Sequence, residues 1–141
     1  MITIKHGSIF DSHAAVLVCP VNCVGVMGKG LALEFKKRWP MLDGWYRGQC
    51  TQNLVSPGCV GKWGRFILLS TKDDWRLPSR IEWIDSGLTE LAEMISSERL
   101  RSVAIPQLGC GCGRLDWADV WPLYEKHLGG LDADVEVWIH E

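Results

Sequence analysis

Two glycine-rich stretches and one lysine carry the chemistry legible in this chain. Pro20 to Gly30 reads Pro-Val-Asn-Cys-Val-Gly-Val-Met-Gly-Lys-Gly, between an apolar run (Ala14 to Cys19) and the spacing of an amphipathic helix (Leu31 to Trp39). Gly25, Gly28 and Gly30 allow positive φ and remove side chains. The N–H groups along Gly25, Val26, Met27, Gly28, Lys29 and Gly30 can therefore face an anion, and the next helix offers its positive end. Glycines also serve plain strand-to-helix turns, so the first stretch alone fits either reading. The second stretch, Gly109-Cys110-Gly111-Cys112-Gly113, follows another apolar run, Ser102 to Ile105, and precedes a helix start at Asp116. Two such loops can clasp one diphosphate from both sides.

Lys72 lies in Ser70-Thr71-Lys72-Asp73-Asp74-Trp75-Arg76, directly after the apolar run Phe66 to Leu69. An amine there can polarise or attack an electrophilic carbon if burial or a cationic neighbour lowers its pKa. It can equally be a solvated surface lysine beside Asp73 and Asp74. Lys29 adds electrostatic attraction for an anion, and Asn22 by type suits a turn as well as a ligand contact. Trp75, Arg76 and Arg80 suit base stacking and phosphate contact. The alternative is that Trp75 packs under the following helix and Arg76 pairs with Asp73 or Asp74.

The chain has six cysteines (Cys19, Cys23, Cys50, Cys59, Cys110, Cys112) and four histidines. With a large apolar complement and no secretory pattern, free thiols are the expectation. Cys110 and Cys112 are one residue apart, short of common zinc-knuckle spacing, and no histidine falls in register with them; no metal and no cofactor are predicted. A net charge of -2 gives no global pull toward nucleic acid, so such a partner has to be met by a local patch. No apolar run approaches the ~20 residues of a membrane span, which predicts a cytoplasmic protein without a membrane partner, and a monomer.

These residues need elements to position them. At 141 residues and 47% hydrophobic, the chain fits one domain over 1–141. Met1 to Lys5 alternates as a half-buried strand, and Ala14 to Cys19 reads as a central strand buried on both faces. Leu31, Phe35 and Trp39 mark a helix that Pro40 stops; a second short helix follows over Met41 to Gln52, with Trp45 and Tyr46 as packing residues. A turn-rich connection holds a short strand around Cys59 to Val60 before the buried strand Phe66 to Leu69. Ser79 with Glu82 reads as a capping box for a helix to about Ser97, whose Gly87 allows close packing. Ser102 to Ile105 is a strand, Asp116 caps a helix to about Leu128, and Val135, Val137 and Ile139 alternate as the last strand. Strands alternating with helices predict three α/β/α layers around a mixed, mostly parallel sheet, with ligands beyond the strands' carboxyl ends.

Taken together, Val21 to Ala32, Thr71 to Ser79 and Ile105 to Trp117 resemble the macrodomain family. The resemblance is to the branch of DNA ADP-ribosyl glycohydrolases (DarG) and terminal ADP-ribose protein glycohydrolases. It implies a hydrolase that removes ADP-ribose from a DNA base, with single-stranded DNA as substrate, or from an acidic protein side chain. It also implies roles: Asn22 at the distal ribose, the two glycine loops at the diphosphate, Ser8 and Ile9 at the adenine, and Lys72 as the catalytic lysine. ADP-ribose 1''-phosphate phosphatase action and non-catalytic reading of ADP-ribose are the other functions the family implies. Two positions depart from family patterns. Ser8 stands where many macrodomains carry an adenine-binding aspartate, and Gly113 stands where the protein-directed enzymes carry an acid. Asp116, three residues later, reads first as a helix cap.

Overall fold

The computed structural model describes residues 1–140. Strands β1 (Ile2–His6), β2 (Val16–Val21), β3 (Val60–Trp63), β4 (Phe66–Ser70), β5 (Ser102–Pro106) and β6 (Asp134–Ile139) form one sheet ordered β1-β6-β5-β2-β4-β3. Every neighbouring pair is parallel except the β3–β4 hairpin. Parallel neighbours need crossovers. Helices α1 (Gly30–Arg38) and α2 (Pro40–Thr51) follow β2, α3 (Ile81–Ser97) follows β4, and α4 (Trp117–Leu128) follows β5.

Alternation along the strands divides the core into two layers. Val16, Val18, Ile67, Leu69, Val103 and Ile105 face α3 and α4, where Ile84, Leu88, Leu91, Val120, Tyr124 and Leu128 meet them. Leu17, Cys19, Val21, Phe66 and Leu68 face the opposite side, against Phe35 of α1 and Leu42 and Tyr46 of α2. The three-layer, mostly parallel fold expected from the sequence is the fold observed. Trp45 stacks on Trp63 at 6.2 Å between centroids, so both aromatic residues of α2 pack, as expected. A Cβ on Gly87 would lie 2.6 Å from Leu69 Cδ2, so the missing side chain is what lets α3 lie against β4.

Three local expectations need correction. The N-cap of α3 is Arg80, with no side-chain capping bond, so the Ser79–Glu82 box does not form. Ser79 instead turns inward, its N–H donating to Gly113 O at 3.0 Å and its hydroxyl buried without a hydrogen-bond partner. The tertiary contact with the second glycine loop overrides the local capping signal. Ile4 is 43% exposed rather than half-buried, because β1 is an edge strand with β6 as its one neighbour. The short strand begins at Val60 and runs to Trp63, since pairing with β4 extends it past Gly61.

Candidate functional site

The first glycine loop leaves β2 and is built around Asn22, which is buried. Asn22 Oδ1 accepts the N–H groups of Val24 (3.0 Å), Gly25 (3.1 Å) and Val26 (3.3 Å), while Nδ2 donates to Val26 O at 2.7 Å. From α2, the fully buried Tyr46 hydroxyl reaches both Asn22 O (2.8 Å) and Oδ1 (2.7 Å). Asn22 is therefore the organiser of the turn, and its amide keeps one hydrogen for a ligand. Gly25 and Val26 direct their N–H groups inward to Asn22. Those of Met27, Gly28, Lys29 and Gly30 meet no acceptor among the described residues and are the loop's available donors. The Met27 side chain is a core anchor, 1% exposed, so only its backbone can serve a ligand. Gly25 (φ 91°) and Gly30 (φ 54°) hold the left-handed conformations that glycine permits.

The second loop leaves β5 and is knotted by its own backbone. Leu115 N donates to Gly109 O at 2.8 Å, Arg114 N to Gly111 O at 3.1 Å, and Cys110 N to Gln107 O at 3.3 Å. From α4, the Tyr124 hydroxyl donates to Pro106 O and accepts from Leu108 N at 2.9 Å. Gly111, Cys112 and Gly113 have N–H groups with no acceptor among the described residues. Cys110 backs the loop: burial pushes its thiol up to about 11, so it stays protonated. Cys112 is exposed on the opposite side, its Sγ 3.6 Å from where a Gly30 Cβ would sit. The two loops thus approach each other at the carboxyl ends of β2, β4 and β5.

Lys72 lies beside both loops, with Lys29 of the first and Cys112 and Arg114 of the second among its electrostatic neighbours. Thr71 N donates to Val21 O at 2.9 Å and Cys23 N to Asp73 O at 3.1 Å, so the segment after β4 stays locked to the first loop. The Lys72 side chain is not solvated: the residue is 9% exposed, and Nζ donates to Trp75 O at 3.3 Å. Burial lowers its pKa; Cys112 opposes this with the next-largest effect, and the nearby cations Arg114 and Lys29 each lower it by less. Sequence reasoning did not find Arg114, which holds a left-handed backbone (φ 64°) uncommon for a side chain of its size. Towards the β1 edge of the sheet, beyond the carboxyl end of that strand, Ser8 Oγ accepts from Phe10 N at 3.2 Å and caps the 3-10 turn Ile9–Asp11; Ile9 is buried. The hydroxyl proton of Ser8 remains available for donation. Among the described residues, no group of three His, Cys, Asp or Glu side chains can hold a metal.

No protein-family model matches the chain. Curated relatives do. The DNA ADP-ribosyl glycohydrolase of Mycobacterium tuberculosis (strain ATCC 25618 / H37Rv) is 41% identical over 128 residues, covering 85% of this chain and 36% of the relative. The solved macrodomain of Mycobacterium tuberculosis DarG superposes with a TM-score of 0.92 at 38% identity, covering 98% of this chain and 97% of that one. This chain belongs to the macrodomain family. Within it, the likeness is to the DarG branch. Thermosipho africanus DarTG in complex with ADP-ribose matches with a TM-score of 0.88 at 32% identity, over 96% of this chain and 41% of that one. The ADP-ribose 1''-phosphate phosphatase of Aspergillus clavatus aligns over 56 residues, 39% of the chain. This macrodomain thus spans a minority of the length of the full DarG relative.

In this macrodomain the departure at Gly113 has a steric cause. A Cβ there would lie 2.4 Å from both Gly109 O and Ser79 Oγ, so no acid fits without moving the loop. Asp116 is occupied as the cap of α4, its Oδ1 accepting from Ala118 N at 3.0 Å. Sequence reasoning also missed that the chain's two tyrosines each clamp one glycine loop. Neither position carries a local signal; Tyr46 lies 24 residues from Asn22. Burial raises the pKa of both phenols, keeping them donors. Tyr46→Phe is expected to lower stability by about 1 kcal/mol and to speed amide exchange at Val24, Gly25 and Val26. Thermal melts and hydrogen exchange check this; wild-type protection at those amides would remove Tyr46 from the loop's support.

Proposed function

We propose that this macrodomain is an ADP-ribosyl glycohydrolase whose acceptor is a DNA base. The observation that carries the reading is a buried, pKa-lowered lysine beside two adjoining glycine loops. A diphosphate needs short donors with little added charge, and the free N–H groups of residues 27–30 and 111–113 supply them. With the diphosphate held there, Asn22 and Lys72 meet the distal ribose, and Ser8 with Ile9 meets the adenine. The bond from ribose C1'' to the acceptor then breaks, the acceptor leaves with the electron pair and ends protonated, and water supplies the hydroxyl at C1'' and that proton. As an ammonium, Lys72 stabilises the negative charge that develops on the leaving acceptor.

The names of the relatives favour DNA over a protein carboxylate, and the closed Gly113 position supports this choice, because it denies the lysine an acid partner in the second loop. All six cysteines are free thiols, which accords with the reducing cytoplasm. Incubation with ADP-ribosylated single-stranded DNA, auto-modified protein and ADP-ribose 1''-phosphate in parallel tests the reading. Release of ADP-ribose from the DNA is the expected result. Release of phosphate alone would make the protein a phosphatase, and binding without turnover would make it a reader. Activity is expected to be unchanged in excess chelator, and reproducible stoichiometric zinc in the purified protein would contradict the cofactor-free mechanism.

A further inference from the structure

We infer that Trp75 is the stacking platform for the nucleobase from which ADP-ribose is cleaved, an assignment that rests on the glycohydrolase reading above. Of eight tryptophans, Trp75 alone is an exposed one, at 44%. The others find packing partners, such as Trp39 on Phe66 and Trp117 on Tyr124. Its position is tied to the reacting centre, because Lys72 Nζ donates to the Trp75 carbonyl at 3.3 Å. Exposed apolar side chains also concentrate here: Val24 and Val26 stand on the first loop, and Trp75 and Leu77 on the segment after Lys72.

The ring is propped rather than loose. Asp74 grips Arg76 through Nε (2.9 Å) and Nη2 (2.8 Å) and accepts its N–H at 2.9 Å, and the Arg76 guanidinium then lies 5.3 Å from the Trp75 ring centroid. A ring already ordered by a guanidinium loses little freedom when a base stacks on it. The same pairing removes Arg76 from the role the sequence suggested. With its charge matched by Asp74, whose carboxyl it holds below the usual range, Arg76 is a prop for the indole and not a phosphate contact. Recognition at this rim is therefore by π-face, which suits an unpaired base. A paired base would first have to leave its own stack.

The test compares wild type with Trp75→Ala, Trp75→Leu and Trp75→Phe on an ADP-ribosylated single-stranded oligonucleotide and on ADP-ribosylated protein, with free ADP-ribose affinity measured by calorimetry. Trp75→Ala and Trp75→Leu are expected to raise KM for the oligonucleotide by about tenfold or more, with kcat within a few fold, and Trp75→Phe to recover most of the loss. ADP-ribose affinity is expected to stay within about twofold throughout, since Trp75 belongs to neither glycine loop nor to the Ser8–Ile9 turn. Arg76→Gln leaves the salt dependence of KM unchanged. Wild-type KM in the leucine variant, an equal rise on the protein substrate, or a salt slope reduced by about one charge in Arg76→Gln would each overturn the assignment. A wild-type protein active on modified protein but not on DNA also overturns it. Absence of turnover on every substrate overturns the glycohydrolase reading itself.

Discussion

Lys72→Ala is expected to lower turnover on ADP-ribosylated DNA by about two orders of magnitude or more while ADP-ribose affinity stays within a few fold. Binding should survive because the proposed diphosphate donors are backbone N–H groups on the two glycine loops, and neither loop takes its shape from the lysine ammonium. Turnover falls because Nζ is the cation buried where the reacting bond is placed. Loss of the long side chain also leaves a gap, so Lys72→Met, of similar length, separates charge from packing. Both variants should lose turnover alike. The pH dependence tells the working form. Burial, Arg114 and Lys29 lower the Lys72 pKa, so its titration falls below the ordinary lysine range. If the ammonium stabilises the transition state, turnover drops as pH rises through that lowered pKa; if the free amine attacks C1'', turnover rises there. Borohydride trapping adds a second discriminator, since only an iminium at Lys72 is fixed covalently. Wild-type turnover in both variants would make the lysine a bystander.

Gly111→Glu is expected to abolish ADP-ribose binding without unfolding the protein. An added Cβ at Gly111 meets nothing within 4 Å, and its φ lies outside the left-handed range, so a side chain is accepted there. The carboxylate then sits beside the unpaired N–H groups of the second loop and confronts the diphosphate. At ~4 Å and an effective dielectric of ~20, one like-charge pair costs about 4 kcal/mol, roughly a thousandfold in affinity. Gly111→Ala, which adds bulk without charge, should bind nearly as wild type. Gly109 and Gly113 give no comparable test. A Cβ at Gly109 would lie 2.8 Å from Leu115 Cδ1, and one at Gly113 would strike backbone, so their variants disturb the loop itself. Calorimetry with thermal melts reads both effects, and undiminished affinity in a folded Gly111→Glu protein would move the diphosphate elsewhere.

The order of strand, glycine loop and helix was legible in the chain because each signal is local. An apolar run such as Ala14 to Cys19 must be buried on both faces, and the glycines that follow it mark a turn at its carboxyl end. In a mostly parallel sheet those ends share one side, so both loops and Lys72 had to meet there. The resemblance to macrodomains rested on the same three stretches, and the comparisons place the chain in that family. Burial and hydrogen-bond partners were not legible, because they depend on residues far away in the sequence. Ser79 followed the local rule for a cap, yet a contact to Gly113 claimed it. Asn22 was ambiguous until Tyr46, on another element, filled its carboxamide oxygen and set it as the turn's organiser. Lys72, flanked by Asp73 and Asp74, reads equally as a surface residue. Only its burial in the folded chain lowers its pKa, with Arg114 and Lys29 adding to that shift, and desolvation of this kind is a property of the assembled structure.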